Sequence, residues 1–202
     1  MKVLIIARRE LGALFGSVIG WLVLTAFLLV SGIVWTLAVS GYLDNSEVVV
    51  QNDMAGVSLT FADYLLWPYF SFQSLFLLFL VPGVTMRLFS EEMRHHTLEL
   101  LLTSPVGLWE IVLGKFLGAM GFVGAMIGLS AVPVALVLLW SSMDPIQLVL
   151  GVLSVWLTAG CMVALGMAFS ASTPHQVVAL VLTEGLAFVL LLLAGWADAD
   201  SS

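Results

Sequence analysis

The sequence predicts an all-α, polytopic transmembrane helical bundle, and three observations carry that prediction. First, 61% of the 202 residues are apolar and 9% are charged, with a mean hydropathy of +1.15. Soluble domains run about 45–50% apolar and about 25% charged. Six Lys/Arg and thirteen Asp/Glu cannot coat the core that such a composition would form in water. Disorder is excluded by the same richness in branched and aromatic residues. Second, five stretches reach the roughly 20 apolar residues needed to cross a hydrocarbon core of about 30 Å. They cover approximately residues 18–39, 64–84, 116–140, 146–170 and 176–196. Third, the basic residues fall on one side. Lys2, Arg8 and Arg9 precede the first stretch, Arg87, Arg94 and Lys115 lie between the second and third, and no other Lys or Arg occurs.

The opposite connections carry only acids: Asp44, Glu47, Asp53, Asp63, Asp144, Asp198 and Asp200. This division places the N-terminus and the 85–115 loop in the cytoplasm and, after five crossings, the C-terminus outside. The net charge of −7 would by itself argue against nucleic acid or acidic lipid as a partner, but what counts is where along the chain each sign falls; no nucleic-acid partner is expected. The alternating pattern of a membrane β-barrel is absent. The chain reads as one membrane domain, 1–202.

Taken in order, residues 1–17 predict an amphipathic helix lying in the cytoplasmic interface. Val3, Leu4, Ala7, Leu11, Leu14, Phe15 and Val18 recur at helical spacing beside Lys2, Arg8, Arg9 and Glu10. The first span, near 22 residues, is too long for a cleaved signal core of about 7–15 residues. In the third, Gly114, Gly118, Gly121, Ala125 and Gly128 share one helix face, a surface that lets another backbone approach closely. Two copies of the chain are expected to associate through such faces. Gly160, Ala164 and Gly166 do something similar on the fourth span, and Pro133 should kink the third. Cys161, the single cysteine, reads as a packing residue. Glu184 is the one ionisable side chain within a predicted span, either a cavity-lining residue or part of a polar contact between subunits, or a protonated carboxyl or one in a shallowly seated fifth span.

The 86–105 segment, MRLFSEEMRHHTLELLLTSP, is the charge-dense place in the chain. Glu91 with Arg94 and His95, and Glu92 with His96, stand three or four residues apart and favour a helix. Ser104 and Pro105 end it and start the next. The expected product is a short surface helix displaying acids and an arginine to the cytoplasm.

The run MRLFSEEMRHHTLELLLTSPVGLWEIVLGKFLGA (86–119) resembles the cytoplasmic signature of type-2 ABC exporter permeases, in particular the gliding-motility and copper-enzyme (nitrous-oxide reductase) maturation branch. The opening ARRELGALFGSVIGWLVLTAFLLVSG is similar to that family as well. The resemblance implies a bacterial inner-membrane protein whose loop forms a coupling helix resting on a separate ATP-binding subunit. Glu91, Glu92, Arg94, Thr97, Glu99 and Pro105 occupy the motif positions. It further implies a homodimer or heterodimer of permeases, with ATP and magnesium on the partner and no cofactor in this chain. Two departures stand out: His96 replaces the family's glycine, and the sequence stops after the fifth span where the family has six. Ser172-Thr173-Pro174 echoes Thr103-Ser104-Pro105; the resemblance implies a second, smaller contact with the ATPase there, and the alternative is that both are simple helix-start signals.

Other chemistries find little support. There is no GxxxxGK[ST] phosphate loop. A CAAX-type protease would need arginine four residues after the second glutamate, where His96 stands. His95 and His96 are adjacent and point about 100° apart on a helix, a poor pair for one metal ion. No span carries the facing histidines of a haem site. The expected function is therefore ATP-driven export of an unassigned substrate. A non-transporting membrane scaffold for a motility or enzyme-maturation assembly is the alternative.

Overall fold

The computed structural model describes residues 2–44, 61–94, 107–138 and 145–199. Every regular element among them is helical: α1 Lys2–Gly16, α2 Val18–Asp44, α3 Phe61–Thr85, α4 Arg87–Arg94, α5 Leu108–Ser130, α6 Val132–Leu138, α7 Pro145–Ser170 and α8 Gln176–Ala199. Five helices are long and apolar enough to cross a membrane, α3 running into α4 and α5 into α6 within single crossings. Large apolar side chains stay exposed along them, among them Trp21, Leu29, Phe79, Leu117, Leu153 and Phe188. Such a surface requires lipid as its solvent.

Local chemistry sets the boundaries. Ser17 breaks α1 from α2, and its hydroxyl accepts the Gly20 amide at 2.9 Å as the cap of α2. The corner needs glycine at 20, because a Cβ there would collide with the Leu14 carbonyl. At the start of α5, the Glu110 carboxylate reaches back to the Gly107 amide at 3.0 Å, half of a capping box. That cap starts the third crossing at Leu108 rather than near residue 116. The connection between the second and third crossings is correspondingly shorter than hydropathy alone indicates. Trp109, 77% exposed, is the second residue of this helix, a position suited to the headgroup level.

By their contacts the residues fall into two compact units. One comprises Trp21–Phe76 and Gly124–Thr158. Its centre is Phe27, Leu65, Tyr69, Met126, Ile127, Val134 and Val155, all essentially inaccessible. The helix breaks at Ala131, two residues before Pro133, whose missing N–H removes a rung of the ladder. Tyr69 donates its hydroxyl proton to the Ser130 carbonyl at this bend, at 2.7 Å, and the Gln73 amide donates to the Ser130 hydroxyl at 2.8 Å. Trp35 packs edge-on against the Tyr69 ring, with centroids 5.2 Å apart. Gly124 makes room for Trp156 and Gly151 for the Phe70 ring.

The other unit comprises Met1–Gly20, Leu77–Val123 and Ala159–Ser202. Leu77, Val81, Ile111, Ala119, Phe122, Val123 and Val163 form its core, and Phe15 meets Phe122 edge-to-face at 5.0 Å. Cys161 is not a packing residue here; its thiol lies on the exposed face of α7. Met162 and Val163, the next two residues, are the ones turned inward.

Candidate functional site

The polar centre of the second unit lies where α1, α4 and α5 meet. Lys115, on α5, has a side chain only 3% exposed. Its ammonium reaches Glu92 of α4 at 2.8 Å, Glu10 of α1 at 3.2 Å and the Leu88 carbonyl at 2.8 Å. An ammonium has three protons, and these three acceptors use all of them. The Phe89 ring adds a cation–π contact, 5.2 Å from ammonium to centroid. A buried lysine is tolerable only with such complete pairing, since removing a charge from water costs several kcal/mol. The cluster thus ties three elements that lie far apart in the sequence.

A second tie fixes the start of α4. Ser170, the last residue of α7, places its hydroxyl oxygen 3.1 Å from the amides of Phe89 and Ser90 and donates to the Met86 carbonyl at 3.0 Å. The first amides of a helix have no partner within it, so Ser170 acts as a cap supplied by another helix. Ser90 returns the arrangement. Its hydroxyl lies 3.0 Å from the Ser170 carbonyl, at the orphan end of α7, and 2.8 Å from the Thr173 carbonyl. Just upstream, Thr85 fits into the space left by Gly166 of α7.

The predicted site residues therefore divide. Glu91 and Arg94 are exposed on α4. Glu92 is not exposed with them but turns inward onto Lys115, its side chain 18% exposed. Thr97, Glu99 and Pro105, together with His95, His96 and Ser104, lie outside the described residues. Thr173 meets α4 directly, and Arg94 lines one shallow hollow with Pro174, His175 and Gln176. The two loops singled out in the sequence thus converge on one surface.

The glycine face of α5 is filled from within the chain, which corrects the expectation that it receives a second copy. A Cβ on Gly114 would fall 2.6 Å from Ile6, one on Gly118 would fall 2.7 Å from Glu10 Cβ, and one on Gly121 would fall 3.1 Å from Leu11. Amphipathic helix α1 thus lies along the face. Gly128 has open space around it, and Gly160 on α7 receives the Met120 side chain. Glu184 is half-buried in α8, with one carboxylate oxygen shielded and without a hydrogen bond among the described residues. Sequence reasoning missed Lys115, Glu10, Ser90 and Ser170 as a set. Their partners are 23 to 105 residues apart, so no local spacing joins them.

The family model described as ABC-2 family transporter protein matches residues 4–198. Comparison with curated proteins and with solved structures returns no match.

Proposed function

The chain belongs to the ABC-2 transporter family and is a multi-pass permease component of an ABC transporter; on that premise we propose that α4 is the element through which a separate ATP-binding subunit drives export. The observation that carries the reading is the two-sided nature of this short helix. Its inner side is bolted to α1, α5 and α7 through Lys115 and Ser170, while Glu91 and Arg94 remain exposed. A push on the exposed side is transmitted to three helices at once, because buried ion pairs and reciprocal caps do not yield independently. The Thr173–His175 loop adds a second contact beside Arg94. ATP and magnesium reside on the partner subunit in this scheme, the N-terminus and α4 are cytoplasmic, and two permease chains complete the pathway. The loop motif favours the gliding-motility and copper-enzyme-maturation branch.

Co-purification of the ATP-binding subunit tests this. Reversing the two exposed charges, Glu91→Lys with Arg94→Glu, is expected to lower its recovery by about tenfold, the loss of one or two charge-assisted contacts. Undiminished recovery with the double variant rules out α4 as the docking element.

A further inference from the structure

A cavity of roughly 390 Å³ opens between α1 and the corner where α3 meets α4. Its floor is apolar, built from Leu14, Val84 and Leu88, and its rim is charged, with Arg9 and Arg87 on opposite elements. Two acids of the cavity, Glu10 and Glu92, share the single charge of Lys115. The two arginines have no ion-pair partner among the described residues. Guanidinium groups that line one cavity from two elements without a carboxylate partner suit a planar or tetrahedral oxyanion. The apolar floor asks for hydrocarbon beside that anion. Amphipathic α1 lies along this cavity, and Leu4 and Ile5, each 69% exposed, supply the apolar side with which it rests in the interface.

We propose that this cavity binds the headgroup phosphate of an anionic phospholipid, with Arg9 and Arg87 as its ligands. Glu91, exposed at the rim, opposes that charge and limits the affinity. Arg8 is also exposed on α1 but does not line the cavity, and therefore controls for general attraction to an acidic membrane.

The full chain, purified in neutral detergent, is titrated with phosphatidylglycerol against a phosphatidylcholine background, and retained lipid is counted by native mass spectrometry. Arg9→Gln and Arg87→Gln are each expected to weaken phosphatidylglycerol retention about tenfold. Glu91→Gln is expected to strengthen it, and Arg8→Gln to leave it unchanged. Equal retention by wild type and both arginine variants overturns the proposal, as does an equal loss with Arg8→Gln. Displacement of the lipid by an equal concentration of inorganic phosphate overturns the lipid assignment in favour of a soluble anion. Should Arg87→Gln fail to fold, the surface changes Arg9→Gln and Glu91→Gln decide the matter by their opposite signs.

Discussion

Lys115 concentrates the energetics of the junction in one side chain. Its single positive charge is shared between two carboxylates, at 2.8 and 3.2 Å, while the Leu88 carbonyl takes the remaining proton. Replacing the pairs by apolar residues of equal volume could be neutral, but removing one member leaves uncompensated charge. Lys115→Met is therefore expected to destabilise the purified chain by about 3 kcal/mol, read from thermal unfolding in detergent. An unchanged melting temperature would show that the cluster is not held in this arrangement. Adding Glu10→Gln and Glu92→Gln should recover part of the loss, because the stranded charges go with the lysine. In the sequence this residue was legible only as one more positive charge on the cytoplasmic side. Its neighbours Gly114 and Phe116 say nothing of a partner on the first helix, 105 residues away. Glu92 and Glu91 are likewise indistinguishable by type, and only the helix's orientation sends one inward and the other out.

Among the elements, α1 and α5 show how a packing signal can be read correctly while its partner is not. The spacing of Gly114, Gly118 and Gly121 marks a face made for close approach, and the face is indeed occupied. The occupant could not be read, since a span surrounded by lipid is apolar on every side and offers no polar stripe to orient it. The interfacial helix was legible for the opposite reason: its two faces differ in chemistry. Gly118→Leu is expected to lever α1 away, because its Cβ would meet both Glu10 Cβ and the Ala7 carbonyl. Cleavage at Arg8 or Arg9 by trypsin then accelerates, whereas Gly128→Leu, with open space around that position, leaves the rate unchanged. Equal protection in both variants would place α1 elsewhere. The start of α5 illustrates a boundary set by capping chemistry. Hydropathy falls at Lys115 and Glu110, yet Glu110 extends the helix by bonding Gly107 and Lys115 is sheltered by ion pairs.

At the scale of the molecule, five crossings and the match over residues 4–198 agree on a transporter membrane subunit. Composition alone carried the membrane part of that, because no soluble packing can accommodate so few charges, while the transporter part came from the resemblance over residues 86–119. What composition could not carry is the convergence of three distant segments at α4: the first helix, α5, and the end of α7 with the turn after it. The proposed coupling role takes that convergence as the route by which a short surface helix moves the spans, and it needs that surface to be cytosolic. The sidedness rests on Lys2, Arg8, Arg9, Arg87, Arg94 and Lys115 all lying on one side of the membrane. A single reporter cysteine, Arg94→Cys in a Cys161→Ala background, examines it in sealed membranes with an impermeant maleimide. The account predicts protection in right-side-out vesicles and rapid labelling in inverted ones. Labelling from the outer face of right-side-out vesicles would contradict it, because α4 would then be out of reach of any ATP-driven partner in the cytosol.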